Sequence, residues 1–226
     1  MAVAYDNAAS TGVANSSTFT HSSFVPVGTP TAIVIGVTFG NTGYQSLSGV
    51  TYGGSTCYLL DYHKPDDDLF SQVALYGLTS PPTGTQDAVA TFSGNTYGGI
   101  GVISFTGTDT ARAFSEKNSR AESVASTAIS TVESSASDEI VVDCCAIFVV
   151  SGTTATVGAS QTQRVNARHA SSNTRICMST ETGAASTTMS WTSGTASDNS
   201  IVAIAVMPPQ GGAASGARNP FAGPIG

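Results

Sequence analysis

Imidazole binds metals and moves protons near neutral pH, so His21, His63 and His169 are the first residues to weigh for chemistry. No two of them have the H-x-x-x-H spacing that brings a pair of ring nitrogens to one ion. His63 does lie near Asp61 and the run Asp66, Asp67 and Asp68, the densest acidic stretch of the chain. Carboxylates gathered on one loop suit calcium, a hard cation that wants several oxygens. The same HKPDDD stretch also reads as a solvated hairpin tip turned by Pro65, and it lacks the Asp-x-Asp-x-Asp-Gly order. No metal and no cofactor is expected. Glycoside cleavage needs two carboxylates across a cleft. Asp61, Asp87, Asp109, Glu116 and Glu139 are available, and no spacing singles out a pair. Serine nucleophiles need a G-x-S-x-G elbow between strand and helix, and none of the 31 serines sits in one. The YGG triplets at 52–54 and 97–99 read as turns between strands, with no lysine or following helix to hold phosphate. Tyr44, Tyr62 and Tyr97, in or near loops, could stack on sugar rings, whereas Trp191 shares a strand face with Met189 and reads as core. The expectation is a protein that is not an enzyme.

The composition narrows the classes further. Eight Lys+Arg against 15 Asp+Glu leave a formal charge of −7, which argues against nucleic-acid binding through phosphate neutralisation. Charged residues make up 10% of the chain, while hydrophobic residues at 40% are too many for a disordered chain. Serine and threonine are abundant where helix formers such as Leu and Lys are scarce. No secretion leader is expected, since Met1–Tyr5 lacks a positive region and the first apolar stretch, Thr31–Phe39, comes late. The longest apolar run, Ile140–Val150, is interrupted by Asp143 and falls far short of the ~20 residues of a membrane helix. Synthesis and folding in a cytoplasm are expected. Cys57, Cys144, Cys145 and Cys177 fit no zinc pattern, and they read as reduced, small hydrophobes. Adjacent Cys144 and Cys145 should point to opposite faces of one strand.

Any site must be carried on strands. Short β-branched runs closed by Gly, Pro, Asn or Ser recur along the chain. Strands are predicted at Ser17–His21, Thr31–Phe39, Leu47–Tyr52, Thr56–Tyr62, Ser71–Tyr76, Asp87–Phe92 and Gly98–Phe105. A second series covers Thr127–Val132, Asp138–Val150, Thr162–Arg168, Thr174–Thr180, Thr187–Thr192 and Ser200–Met207. Ala111–Ala125 has no sustained apolar stripe and reads as a long loop with one helical turn. The stretch VATFSGNTYGGIGVISF resembles TMSWTSGTASDNSIVAIAV, each with a strand, a Ser-Gly turn and a second strand. This suggests half-repeats of about 1–108 and 109–208. Neither half buries its apolar face alone. The predicted architecture is all-β, an antiparallel two-sheet sandwich of jelly-roll type spanning 1–208 as one domain. Residues 209–226 form a Pro/Gly/Ala-rich tail with three anchors, Arg218, Phe221 and Ile225.

The turn strand VTYGG (Val50–Gly54), the segment ALYGLTSPPTGTQDAVATFSG (Ala74–Gly94), GVISFTGTD (Gly101–Asp109) and the closing TMSWTSGTASDNSIVAIAVMP (Thr188–Pro208) carry a resemblance. Together they resemble jelly-roll modules of bacteriophage virion accessory proteins and of large bacterial surface proteins. The shared motifs are turns and core strands, so they imply fold, and no catalytic or ligand residue carries over. The virion context implies a capsid decoration (cement) protein. It would bind the major capsid protein or other virion subunits, form a homo-oligomer such as a trimer, and touch neither nucleic acid nor membrane. It would be located in the virion, assembled in the host cytoplasm. A carbohydrate-binding module and a filament subunit are the alternatives.

Overall fold

The computed structural model describes residues 2–40, 45–65, 71–148 and 154–209. These residues form two antiparallel sheets packed as a sandwich of jelly-roll-like topology. The first holds β1 (Ala4–Phe24), β2 (Ala32–Gly40), β3 (Leu47–Tyr52), β4 (Ser55–Thr56), β5 (Tyr58–His63), β6 (Gln72–Thr79) and β7 (Gln86–Thr106). The second holds β8 (Phe114–Glu133), β9 (Ile140–Phe148), β10 (Ala155–Val157), β11 (Thr162–Ala167), β12 (Thr174–Thr182) and β13 (Thr187–Val206). The strand order β3-β7-β2-β6-β5, with β1 beside β7, is matched by β10-β13-β9-β12-β11, with β8 beside β13. One topology is used twice.

The correspondence reaches single residues. On β1, Ser16 faces Thr96 and Thr18 faces Thr91, so two steps oppose five on β7. On β8, Ser126 faces Ser197 and Ala128 faces Thr192, again two against five on β13. Bulges of this kind bend a strand and sharpen its twist. Asn15 and Ala125, one residue ahead of each bend, both have positive φ. Ser16 and Ser126 each close the bend by bonding the backbone two residues on, at 3.1 Å to N–H in both cases.

The bends fold each long ribbon back over its own sheet. Trp191 Nε1 donates to Asp143 Oδ2 at 2.8 Å, yet Asp143 pairs with Ala203, twelve residues farther along β13. A straight strand would separate the two by about 40 Å. In the first sheet, Asn7 Nδ2 reaches the Val25 carbonyl at 2.8 Å, and that sheet curls toward a half-barrel. Three apolar cores result. Val34, Leu75 and Phe105 meet Val142, Met178 and Val202 between the sheets. Phe19, Phe92 and Tyr52 cover Ile33, Ile35 and Val37 on the far face of the first sheet. Ile129, Met189 and Trp191 cover Val141, Cys145 and Ile147 on the far face of the second. Strands buried on both faces explain why β2 and β9 read as continuous apolar runs.

The strand faces follow the alternation: Ile33, Ile35 and Val37 enter one core, Val34 the other. Cys144 faces the inter-sheet core and Cys145 the opposite one. All four cysteines are free and buried, and burial pushes the Cys57 thiol up to about 12, so it packs as a protonated hydrophobe. Other expectations are corrected. Ala111–Ala125 is no loop; residues from Phe114 onward belong to β8. β1 begins at Ala4, well ahead of Ser17. Both strands pair on one side only, with β7 or β13, so half-buried small and polar side chains suffice and no apolar stripe announces them. Ser93-Gly94 and Ser193-Gly194 are bends inside β7 and β13, not hairpin turns, and Tyr97–Gly99 lies within β7.

The sheets meet closely because of glycine at Gly36 and Gly101, which pair across β2 and β7. A Cβ on Gly36 would fall 2.7 Å from both Cys144 Sγ and Met178 Sδ, and one on Gly101 would fall 2.7 Å from the same Met178 sulfur. The pair forms the slot that admits Met178.

Candidate functional site

The most elaborate polar group in the described residues is buried in the second half. Asp143 sits in mid-β9 on the face turned away from the inter-sheet core, with 0% exposure. Its Oδ1 accepts the Ser179 N–H at 2.6 Å and the Ser179 hydroxyl at 2.9 Å. Its Oδ2 accepts Trp191 Nε1–H at 2.8 Å and Gln161 Nε2–H at 3.3 Å. Gln161, one residue before β11, also donates from Nε2 to Ser179 Oγ at 2.6 Å. The Gln161 Oε1 receives the Ser190 N–H at 2.8 Å and the Ser190 hydroxyl at 3.3 Å. A backbone N–H can only donate, so this contact fixes which end of the amide faces Ser190. Burial pushes the Asp143 carboxyl up to about 7, against the pull of bonds from Ser179, Trp191 and Gln161. Gly158 roofs the cluster so closely that a methyl group there would overlap Ser190 Oγ and Gln161 Oε1.

Among the described residues, the first half has no such cluster. β5 bulges opposite Tyr76 and Leu75, and β11 bulges opposite Ser179 and Met178. Tyr76 therefore stands where Ser179 does, and its partner Ile35 stands where Asp143 does. One sequence signal could have found the cluster: an acid inside an otherwise apolar strand, Ile140–Phe148. Gln161, Ser179 and Ser190 give no signal of their own, because only the sheet pairing and the β13 bend gather them.

A second feature is exposed. β5 is an edge strand, and the carbonyls of Leu60 and Tyr62 are capped by Asn118 Nδ2 and Arg120 Nη1 of β8, each at 3.3 Å. Such capping blunts an open edge. Tyr58 and Leu59 remain 44% and 54% exposed beside an open cleft of about 540 Å³, bordered by Thr79, Arg112, Phe114 and Glu116. The chain leaves β13 at this cleft, with Met207 N–H on the Ala113 carbonyl at 2.7 Å.

The residues singled out by type are scattered. His63 Nε2 lies 3.1 Å from Glu122 Oε2, His21 Nδ1 lies 3.0 Å from Thr11 Oγ1, and His169 Nδ1 accepts the Ser171 N–H at 3.1 Å. Asp87 accepts from Ser23, Asp109 caps Ala111 and Arg112, Glu139 caps Ala136, and Glu116 pairs with Arg112. Each carboxylate serves its own turn or edge. Asp61 is buried at the β5–β8 seam, where desolvation raises its carboxyl above the ordinary range despite Arg120 at 3.5 Å. Among the described residues, no three His, Cys, Asp or Glu side chains gather into a metal-holding group. Trp191 is core, Tyr62 is partly exposed on β5 and Tyr97 is half-buried. Tyr44, the acidic run Asp66, Asp67 and Asp68, and the tail anchors Arg218, Phe221 and Ile225 lie outside the described residues. No protein-family model, curated protein or solved structure matches this chain.

Proposed function

We propose that the chain is a structural virion protein, a phage capsid decoration (cement) protein that packs on capsomers and neighbouring subunits through its cleft edge and tail. The observation that carries the reading is the juxtaposition at β5. Exposed Tyr58 and Leu59 border a cleft lined by Arg112 and Phe114; Met207 bonds the Ala113 carbonyl between those two and is followed in the sequence by the segment bearing Arg218, Phe221 and Ile225. An apolar and aromatic patch beside a polar rim is the usual anatomy of a docking surface. Binding is by area burial, without catalytic turnover, and the assembly unit is a homo-oligomer, with a trimer as the arrangement to test. The sheet faces are already covered by the chain's own ribbons, which leaves edges, the cleft and the tail for partners.

Deleting residues 209–226 leaves the unfolding transition of the sandwich unchanged and abolishes co-sedimentation with shells of the major capsid protein from the same virus. Retained co-sedimentation by the shortened chain rejects the proposal. Leu59→Ser, at a site 54% exposed, shifts stability by less than about 0.5 kcal/mol while weakening the same binding at least several-fold. A carbohydrate-binding reading has one observation in its favour, the exposed rings of Tyr58 and Tyr62 on one edge strand. Glycan-array binding that is lost in Tyr58→Ala would replace the virion reading with that one.

A further inference from the structure

The cluster around Asp143 contains the parts of an acyl-transfer reaction, arranged within one chain. A hydroxyl, Ser179 Oγ, donates to a buried carboxylate at 2.9 Å and lies 2.6 Å from the amide nitrogen of Gln161. The Gln161 carbonyl oxygen is held by two donors, the Ser190 N–H and the Ser190 hydroxyl. Nucleophile, base and oxyanion donors are the three roles such chemistry needs. The geometry points to a self-catalysed ester cross-link between Ser179 Oγ and Gln161 Cδ, formed once per chain after folding, with Asp143 moving the proton.

The step balances without any added reagent. Asp143 Oδ1 takes the hydroxyl proton as Oγ attacks Cδ, and a turn about the Gln161 Cγ–Cδ bond presents the carbonyl face to Oγ. Negative charge develops on Oε1, the oxygen that the Ser190 N–H and hydroxyl hold before the amide turns. The Cδ–Nε2 bond then breaks as the proton taken at Oδ1 passes to Nε2, a half-turn of the Asp143 carboxyl group carrying it to the side that faces Nε2 at 3.3 Å. Ammonia leaves. Nothing is oxidised or reduced, and Asp143 ends as it began. A carboxyl raised to about 7 by burial can both accept and return a proton at neutral pH.

Three features separate this arrangement from a merely satisfied polar core. The reacting groups come from β12 and the turn before β11, fixed by the sheet and the β13 bend, so they are held at high effective concentration. Ser179 and Asp143 are 0% exposed and Trp191 1%, which withholds the water that would hydrolyse an ester. Gln161 retains 9% exposure, giving ammonia a way out. The link would tie edge strand β11 to β12 covalently, in a chain whose four cysteines are all free.

Intact mass measurement of the purified full chain decides the matter. The wild-type protein is expected to be lighter than its sequence by one ammonia, about 17 Da. After trypsin, the fragment 121–164, which carries Gln161, and the fragment 176–218, which carries Ser179, should migrate as one species. Hydroxylamine, which cleaves esters, should part them. Ser179→Ala and Asp143→Asn should both restore the full mass. A wild-type chain of full sequence mass with separate fragments overturns the proposal, and so does a mass loss without the joined fragments. The wild-type measurement stands even if a variant fails to fold.

Discussion

Asp143→Ala destabilises the protein by about 3–5 kcal/mol, the loss expected when one partner is taken from a buried charged network. The substitution strands the Ser179 N–H, Trp191 Nε1–H and Gln161 Nε2–H in a region that water does not reach. It also leaves a void under the bent arm of β13. Denaturant unfolding followed through Trp191, the only tryptophan of the chain, reads the loss at the site itself. A change below about 1 kcal/mol would show that the donors find other partners. The same carboxyl sets a pH dependence whose sign can be stated. Burial holds it at about 7 when folded, against about 3.9 in an unfolded chain. Between these values the folded chain keeps a proton that the unfolded chain has released. Its contribution to stability is therefore full below about pH 4 and lost as pH rises through about 7, by roughly 4 kcal/mol if it acts alone. In Asp143→Asn this slope disappears, although the amide nitrogen then faces donors in either orientation, those of Ser179 or that of Trp191, and lowers the stability overall.

Gly36→Val forces the sandwich apart and costs about 3 kcal/mol or more, the upper range for overpacking. Its Cβ alone would lie 2.7 Å from Cys144 Sγ and from Met178 Sδ, and two further methyl groups would enter a core already filled by side chains. Met178 could yield by rotating, but its sulfur is packed as closely on the Gly101 side, where an added Cβ would also fall 2.7 Å from it. The double variant Gly36→Val, Met178→Ala should recover part of the loss, because the deleted side chain is the one the valine strikes. Additive losses in the double variant would place the strain elsewhere. Thermal and denaturant unfolding of the four proteins in the cycle supply the comparison.

Burial decides how much of this fold is legible in the amino-acid order. Where a strand is covered on both faces, as at Ile33–Val37 and Cys144–Cys145, alternation of residue type alone assigns each side chain to its core. Trp191 is likewise legible as core from its neighbour Met189. The ribbons β1 and β8 are not legible: they need pairing on one side only, so Ala, Ser and Asn fill them and no period survives. The bends read as turns because Ser-Gly marks both, and only a pairing of two residues against five distinguishes them. The polar cluster is hidden for the same reason. Asp143 and Trp191 are 48 residues apart, and they meet only because β13 doubles back. Its one visible trace is the charge that interrupts Ile140–Phe148.

The position of the strand ends gives the molecule a direction. Val3 N–H bonds the Asp138 carbonyl at 3.3 Å, and Val206 pairs with Ile140, so the first and last strands finish beside one short segment. The two bends, midway along the ribbons, lie toward the opposite end of the sheets, beyond the pairings of Gly40 with Tyr97 and of Ile147 with Asn199. The sandwich thus behaves as a plug with a single tethering pole: whatever is fused before β1 or after β13 emerges on the same side, and the bends project away from it. A short linker joining the two ends, with new termini opened at the Gly53-Gly54 turn between β3 and β4, should yield a circularly permuted chain with the same three cores.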